Sequence, residues 1–258
     1  FNSMLIGGEG IILVSGPTGS GKTTTLYSTL NKLESPNVNI VTVEDPIEYD
    51  LDNINQAQIN TKSGVTFASA LRSILRQDPD IIMVGEVRDE ETVELGIRAA
   101  LTGHLVFSTV HTNDAASGFT RLLNWNVEPF LIASTVKGIL AQRLVRRICK
   151  ECKRPHDPSR EELKMLGIEE GDTIKAFIGK GCLSCRNTGF KGRIGIYELL
   201  LVDSDISELV LNQEPGYKIR EKARKNGMRT LLEDGIIKIE RGDTSISEVY
   251  ETLERPRS

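Results

Sequence analysis

The sequence predicts an α/β fold in which a mostly parallel sheet is flanked by helices. Short apolar runs alternate with amphipathic segments of helical period, which is the pattern of strands joined by helices. The first three runs are nearly all apolar, as strands buried on both faces are; they span 11–14, 40–43 and 81–84. A glycine-rich loop stands between the first run and the first helix. With 258 residues and 39% hydrophobic content, the chain is large enough for one core with a small satellite module.

The loop at 16–23 matches the phosphate-binding pattern G-x-x-x-x-G-K-[ST] without a mismatch. Its glycines let the backbone wrap closely around phosphates, and the start of the next helix attracts their negative charge. An apolar strand before the loop and a helix after it disfavour a plain Gly/Ser turn. They indicate a fold of the P-loop NTPase group. We predict that Lys22 reaches the β- and γ-phosphates and that Thr23 ligates Mg²⁺. The predicted nucleotide ligands here are Gly16, Pro17, Thr18, Gly19, Ser20, Gly21, Lys22, Thr23 and Thr24.

The rest of the sequence predicts further strands and helices, which divide the chain into three regions. Helices are expected over 24–33, 67–76 (capped by Thr66), 90–101, from a cap at Asp114 to about Leu123, and over 129–144. Strands are expected over 105–109 and 193–201, and an edge hairpin over 53–60. Helices broken at Gly216, Gly227 and Gly242 are expected from 205 to 254. We therefore predict a P-loop core at 1–145, a tetracysteine subdomain at 146–192, and a return strand with C-terminal helices at 193–258.

Carboxylates follow the second and third strands, at the sheet edge where ligands of open α/β folds bind. Glu44, Asp45 and Glu48 follow the second strand, and Glu86 follows the third. The position where an Asp is usual is Gly85, which leaves open whether Glu86 touches the metal, the attacking water or both. We predict that Glu44, Glu48 or Glu86 activates water, the alternative for each being a solvated loop carboxylate or a helix cap.

Histidines and arginines next to these strands are further candidates. His104 and His111 bracket the fourth strand and either sense the γ-phosphate or make structural hydrogen bonds. Arg72, Arg76 and Arg88 flank the third strand and either reach a phosphate across a subunit boundary or form surface ion pairs. The acids expected in such ion pairs are Asp78, Asp80 and Glu90.

The four cysteines form two C-x-x-C pairs, Cys149 with Cys152 and Cys182 with Cys185. Two such knuckles build a closed, structural Cys₄ site for Zn²⁺. The alternatives are two disulfides or free thiols, which a reducing compartment disfavours. A nucleic-acid-binding zinc ribbon is a further alternative, suggested by the basic residues Lys150, Lys153 and Arg154.

Charge and hydropathy limit the classes of partner. The formal net charge of −4 and the absence of a long basic run disfavour binding of nucleic acid through bulk charge. No apolar run approaches ~18 residues, so we expect no membrane span. No signal peptide is visible, and the chain begins without Met just before its first strand. We therefore expect a cytoplasmic fragment of a longer protein.

Three stretches resemble the secretion traffic ATPases, which drive type II secretion and type IV pilus assembly. LRQDPDIIMVGEVRD at 75–89 resembles the signature of that family. TVEDPIEY at 42–49 resembles its Asp box, and GHLVFSTVHT at 103–112 its His box. The resemblance covers nearly the whole chain.

This resemblance implies a RecA-like ATPase domain in a hexameric ring that uses ATP and Mg²⁺ at subunit boundaries. It implies that Glu86 and Glu44 are catalytic acids and that Arg72, Arg76 and Arg88 contact nucleotide. It also implies an inner-membrane platform as the partner, a location peripheral to the inner membrane, and N-terminal domains without which hydrolysis is slow. The tetracysteine insert resembles the secretion and pilus-extension branch and disfavours pilus retraction.

Two other functions stay open from the residues alone. One is a DNA-translocating or conjugation-type ring ATPase, which shares the core but is disfavoured by the acidic balance and the tetracysteine insert. The other is a nucleotide-gated assembly scaffold that hydrolyses little ATP. A GTPase is disfavoured because no N-K-x-D motif follows the sheet. The sequence does not separate secretion from pilus extension.

Overall fold

A computed structural model describes residues 2–5, 8–169 and 172–254. The chain forms two compact units. The first comprises the chain before Gly19, Lys22–Ala141 and Leu199–Met228. The second comprises Gly19–Gly21, Gln142–Glu198 and the chain from Arg229 onwards. The three-region division predicted from the sequence, with boundaries after residues 145 and 192, stays a prediction.

A seven-stranded sheet with the order β3-β2-β4-β5-β1-β6-β9 organises the fold. Its strands and those of a separate two-stranded sheet are β1 (Gly10–Ser15), β2 (Ile40–Glu44), β3 (Asn55–Gln58), β4 (Ile81–Val84), β5 (Leu105–Val110), β6 (Val136–Ile148), β7 (Lys153–His156), β8 (Ala176–Gly179) and β9 (Phe190–Leu201). Strand β1 is parallel to β5 and β6, and β2 is parallel to β3 and β4. Because β4 and β5 are also parallel, these strands end at one edge of the sheet.

The helices are α1 (Lys22–Leu33), α2 (Phe67–Ile74), α3 (Glu90–Leu101), α4 (Ala116–Asn124), α5 (Pro129–Thr135), α6 (Arg160–Met165), α7 (Ser204–Leu211), α8 (Gly216–Lys225), α9 (Leu231–Glu240) and α10 (Ile246–Glu254). Thr66 caps α2 through the backbone N–H of Ser69, as its position predicts. The predicted Asp114 cap is also present, since its carboxylate accepts from the backbone N–H of Ser117 at 2.8 Å. The alternation of strands and helices confirms the predicted α/β fold.

Two predicted elements are wrong. The helix predicted over 129–144 stops at Thr135, where the long strand β6 begins. The apolar residues of β6 at 136, 139 and 140 continue the helical spacing of those at 131 and 132, with polar residues between them, so periodicity alone predicted a helix. Close strand packing explains Gly138, because a Cβ there would lie 2.7 Å from the carbonyl oxygen of Leu200. The hairpin predicted over 53–60 is instead the single strand β3, which extends the sheet parallel to β2.

The first unit has its core between α1 and the sheet. Leu26, Tyr27 and Leu30 of α1 belong to one buried cluster with Ile12 of β1 and Phe107 of β5. Burying a large apolar side chain contributes about 1.5–3 kcal/mol. This contact fixes the direction of α1 against the sheet.

The second unit combines the antiparallel pair β7–β8 with the last two helices. The loop residue Ser20 belongs to it, since its carbonyl accepts a 2.7 Å hydrogen bond from Gln142 Nε2. A Cβ on Gly21 would lie 2.8 Å from the same Nε2 atom, which explains glycine at this position of the loop. Among the described residues, no helix has the length and apolar character needed to cross a bilayer.

Candidate functional site

The parallel register brings the ends of four strands to one edge of the sheet. Ser15 at the end of β1 pairs with Val110 of β5, and Val84 of β4 lies between Val43 and Ser108. The segments that leave this edge therefore start next to one another. They are the glycine loop, 44–48, 85–88 and the turn at His111, which are four of the predicted site segments.

The glycine loop has the backbone that its sequence predicts. Gly16, Gly19 and Gly21 have φ values of 150°, 77° and 88°, in a region that favours glycine. The Lys22 ammonium donates to the carbonyl oxygens of Gly16 and Pro17, at 2.8 and 3.1 Å. Lys22 is therefore folded over its own loop, and phosphate oxygens could replace these carbonyl acceptors.

Glu86 lies in a polar cluster at the same edge. Its Oε1 is 3.1 Å from His111 Nε2, and its Oε2 accepts a 2.8 Å bond from Arg88. Arg88 also lies 3.9 Å from a carboxylate oxygen of Asp45. The hydrogen bond to Glu86 raises the pKa of the Arg88 guanidinium, which stays charged. Glu86 is thus a partly exposed carboxylate, 22% accessible, with both oxygens held by exchangeable partners.

The environment of His111 favours the neutral imidazole. Burial lowers its pKa below the usual value, and the positive charge of Lys22 lowers it further. The Glu86 carboxylate acts in the opposite direction without reversing the shift. The charge of Lys22 therefore acts on the His111 imidazole at this edge.

Packing accounts for glycine where an Asp is usual. A Cβ on Gly85 would lie 3.3 Å from the Val43 carbonyl oxygen and 3.4 Å from Glu44 Cα. The Gly85 backbone is fixed, since its N–H donates to Val43 and its carbonyl accepts from Thr109 Oγ1, both at 2.8 Å. The acid of this strand is therefore carried by the next residue, Glu86.

Glu44 differs from Glu86 because it is buried, with 3% of its surface exposed. One carboxylate oxygen accepts a short hydrogen bond from the Tyr27 hydroxyl. The other accepts from Thr42 Oγ1 at 2.6 Å and from Gln56 Nε2 at 3.1 Å. Burial, followed by the bond to Glu44, raises the pKa of Tyr27, so its phenol is a neutral donor. The other predicted acid of this segment, Glu48, is exposed.

The structure does not bring every predicted ligand to this edge. His104 precedes β5 and pairs with the start of β1, so it lies at the opposite end of the strands from His111, roughly 20 Å away along the chain. Its Nδ1 is 2.8 Å from the Ala99 carbonyl oxygen at the end of α3. This geometry favours the structural alternative for His104.

The two arginines of the α2 region contact their neighbours in this chain. Arg72 forms an ion pair with Glu91 of α3. Arg76 donates from Nη1 to the Arg72 carbonyl oxygen at 2.9 Å. Asp80, expected as an ion-pair acid, accepts instead from the backbone N–H of Asn39 at 2.7 Å.

The four cysteines form the second candidate site, which lies wholly within the second unit. Their sulfur atoms are all within 4.8 Å of one another, and all four cysteines are free thiols. Cys149 to Cys182 and Cys152 to Cys185 are both 3.8 Å, and Cys182 to Cys185 is 3.7 Å. A disulfide requires about 2.05 Å, so the disulfide alternative is wrong for this structure. The cluster instead has the spacing of a metal site.

Backbone donors surround one sulfur of this cluster. Cys185 Sγ accepts from the N–H groups of Cys182 and Gly189, at 3.2 and 3.3 Å. Burial raises the pKa of Cys185, but these bonds and its neighbouring thiols outweigh burial and lower it to about 6. The same cluster holds the pKa of Cys152 near 11, mainly through burial.

Sequence reasoning missed the residues that support the predicted ligands. Tyr27, Thr42 and Gln56 hold Glu44, and Gln142 holds the Ser20 carbonyl. A signal existed for Tyr27, which stands four residues after Thr23 on α1 and therefore on the same helix face. No signal existed for Gln142, because its segment was predicted as a helix.

A parallel sheet whose strand ends lead into a glycine loop with its lysine and into a glutamate is the architecture of the P-loop class of proteins. The family model for "Type II/IV secretion system protein" matches residues 1–251. The chain belongs to this family.

Named relatives and a solved structure are similar over nearly the whole chain. The type II secretion system ATPase E of Vibrio cholerae is 49% identical over 93% of this chain and 48% of its own length. The type IV pilus assembly ATPase PilB of Thermus thermophilus is 50% identical over 93% of this chain and 27% of its own length. The crystal structure of the pilus retraction motor PilT with bound ADP covers 96% of this chain and 62% of that chain, at 30% identity and a TM-score of 0.71. The chain thus spans about half or less of these curated relatives.

Proposed function

We propose that this chain is the nucleotide-hydrolysing part of an Mg²⁺-dependent ATPase that powers type II secretion or type IV pilus assembly. One observation carries the proposal. Lys22 of the glycine loop and Glu86, two residues after β4, lie at the same edge of the sheet, and Glu86 contacts His111 and Arg88 there. Relatives at about half identity are named as ATPases of these two systems, which supports the same chemistry here.

The proposed reaction uses groups that are already at the edge. Lys22 exchanges its loop carbonyls for β- and γ-phosphate oxygens, and the loop N–H groups hold the remaining charge. Mg²⁺ held by the Thr23 hydroxyl would neutralise charge on the phosphate oxygens. Glu86 orients the attacking water and takes its proton on one carboxylate oxygen. The water oxygen bonds to the γ-phosphorus as the bond from that phosphorus to the β–γ bridging oxygen breaks, and ADP leaves with the electron pair of that bond. His111 and Arg88 must release part of their hold on Glu86 for it to take this proton.

The remaining predicted ligands have weaker support from this chain alone. We propose that Arg88 contacts nucleotide when Glu86 turns to water, since it lies at the same edge. Arg72 and Arg76 belong to the proposal only across a subunit boundary, in the hexameric ring that we propose. His104, at the far end of β5, has no contact with nucleotide in this proposal. Glu48 is proposed as an exposed acid near the γ-phosphate.

We propose that the cysteine cluster binds Zn²⁺ as a closed, structural site. Four sulfurs at about 2.3 Å from a central Zn²⁺ stand about 3.8 Å apart, by tetrahedral geometry. Three of the six sulfur–sulfur separations, at 3.7 and 3.8 Å, match this edge length, and all six lie within 4.8 Å. The N–H bonds to Cys185 are of the kind that stabilises a thiolate ligand.

We propose that the partners are other copies of the chain and the inner-membrane platform of a secretion or pilus system. The location that follows is the cytoplasmic side of the inner membrane. Longer relatives carry additional sequence, and the proposal assigns contact with the platform to the assembled full-length ring.

Two substitutions test the proposed reaction. We expect Lys22→Ala to weaken ATP binding about a hundred-fold, because the ammonium bonds to phosphate are lost. We expect Glu86→Gln to bind ATP as the wild type does and to hydrolyse it about 10²–10⁴-fold more slowly. Binding and turnover are measured on the same preparation, by fluorescent-nucleotide titration and by phosphate release.

Glu94→Gln is the matched control, since Glu94 is an exposed carboxylate that pairs with Arg98 on α3. Unchanged turnover in Glu86→Gln would remove Glu86 from the mechanism. Tight ATP binding without turnover in an assembled wild-type ring would favour the scaffold alternative.

A further inference from the structure

Tyr27 of α1 is fully buried, and its hydroxyl donates a hydrogen bond to a carboxylate. It is 0% exposed, and the hydroxyl donates to Glu44 at the end of β2. A buried hydroxyl needs a partner, but a backbone carbonyl would serve that need without placing a charge in the core. The choice of a carboxylate partner therefore calls for a reason beyond packing.

The position of Tyr27 on its helix supplies that reason. Tyr27 follows Thr23 by four residues, so both side chains project from the same face of α1, one turn apart. Thr23 is the residue whose hydroxyl the proposed function assigns to Mg²⁺. The Tyr27–Glu44 pair therefore lies next to the proposed metal position, one helical turn deeper.

Contacts within the sheet also place Glu44 near the proposed metal position. Its Cα and Cγ flank Gly85, where a Cβ would lie 3.4 and 3.7 Å from them. Gly85 immediately precedes Glu86, the proposed water-orienting acid. Glu44 thus lies between Tyr27, on the face of α1 that carries Thr23, and Gly85, which precedes Glu86.

The hydrogen bonds to Glu44 leave it little rotational freedom. Tyr27 binds one carboxylate oxygen, while Thr42 and Gln56 bind the other. The amide of Gln56 also lies 3.4 Å from the Tyr27 oxygen, so the donors are linked to each other. Three donors from α1, β2 and β3 consequently fix both the position and the plane of this carboxylate. A carboxylate held this way suits outer-shell contact with metal-bound water, where orientation decides affinity.

We propose that Tyr27 is a positioning residue that orients Glu44 toward the outer coordination shell of Mg²⁺. This inference rests on the proposed nucleotide function of the same edge. It separates the two acids that the sequence could not rank. Glu44 is a fixed acceptor beside the metal, and Glu86 is the acid with exchangeable partners that handles the water.

The test measures the contribution of Mg²⁺ to nucleotide binding in the 258-residue chain. A fluorescent ATP analogue is titrated in EDTA and across a series of Mg²⁺ concentrations, so that the readout does not depend on turnover. We expect Tyr27→Phe to raise the half-saturating Mg²⁺ concentration about ten-fold and to leave the metal-free nucleotide affinity unchanged. A variant that changes both affinities equally would overturn the inference.

A double-mutant cycle with Glu44→Gln shows whether Tyr27 acts through Glu44. The double variant is expected to match Glu44→Gln alone, because the hydroxyl then has no carboxylate to orient. Additive effects of the two substitutions would overturn the inference. Thr42→Val, which removes the donor to the other carboxylate oxygen, serves if a variant of Tyr27 does not fold, and it is expected to raise the Mg²⁺ requirement too.

Tyr49→Phe is the matched control. Its ring packs edge-on against Tyr27 with 4.8 Å between centroids, and its side chain is largely exposed. Removal of this hydroxyl is expected to change neither affinity. Failure of the proposed function itself looks different, since the wild-type chain would then not bind the analogue at all.

Discussion

The two candidate sites of this chain are built in opposite ways. At the nucleotide edge of the first unit, charged side chains are partly exposed and bound to partners that they can exchange, as Lys22 and Glu86 are. In the cysteine cluster of the second unit, thiols are packed against one another at 3.7–3.8 Å. Three of the four cysteines are buried.

The nucleotide edge therefore has the contacts expected of a catalytic site, and the cysteine cluster has those expected of a structural site. A catalytic site must release and rebind groups during a cycle, so its resting contacts are ones that a ligand can replace. A structural metal site has all its ligands in place and no open position. We therefore expect the proposed Zn²⁺ at the cysteines to contribute to stability, and the proposed Mg²⁺ at the nucleotide edge to contribute to nucleotide binding.

Removal of the metal from the cysteines should give the largest effect. Structural Zn²⁺ contributes about 10–16 kcal/mol in zinc-finger peptides, so we expect the second unit to lose most of its stability on chelation or in Cys185→Ser. Elemental analysis should give one Zn²⁺ per chain. Hydrogen exchange should show protection lost at backbone bonds such as Cys149 N–H to Gly189, with the amides of β1 and β5 still protected.

Addition of Mg²⁺ without Zn²⁺ is the control, and it should not restore the lost protection. The prediction is contradicted if the chain contains no zinc and keeps its hydrogen-exchange protection in chelator. The packed thiols would then stabilise the cluster without a metal.

The glycine loop, the strand-end acids and the cysteine pairs could be predicted because each is recognised from residues that are close together in the sequence. A glycine loop between a strand and a helix is a local signal, and the spacing of two C-x-x-C pairs requires no knowledge of the fold. The strands β1, β2 and β4 were predictable for the same reason, since each is a short apolar run with clear ends.

Other features depended on pairing, which one sequence does not display. β6 lies between β1 and β9 in the sheet, but its apolar residues happen to have helical spacing, so its sequence resembled a helix. The environment of Glu44 depends on donors from three elements that are distant in the chain. The separation of His104 from His111 follows from strand direction, although both flank the same strand.

Two helix glycines provide a smaller test of how tightly each unit is packed. In the first unit, a Cβ on Gly96 of α3 would meet only Val106 at 3.9 Å, beside a small apolar void. We expect Gly96→Ala to stabilise the chain by about 1 kcal/mol, through higher helix propensity and better filling.

Its counterpart in the second unit is Gly235 of α9, where a Cβ would lie 2.6 Å from Val249 Cγ1. Val249 is buried and β-branched, so it has little room to move. We expect Gly235→Ala to destabilise by about 1–2 kcal/mol, since overpacking outweighs the gain in propensity. Urea denaturation of the two variants should give shifts of opposite sign, and two shifts of the same sign would refute this contrast.

The smallest expected effect is the pH response of His111, which tests whether the nucleotide edge is electrostatically coupled. Burial and the charge of Lys22 lower its folded pKa below the unfolded value near 6.5. The unfolded chain then binds more protons in the window below that value, so the stability of the wild type should fall as the pH drops through it. In His111→Gln this contribution should be absent. An NMR titration of the imidazole gives the direct measurement, and Lys22→Met should move its midpoint upward because a positive neighbour is lost. An unchanged midpoint in Lys22→Met would show that the charge of Lys22 does not act on His111.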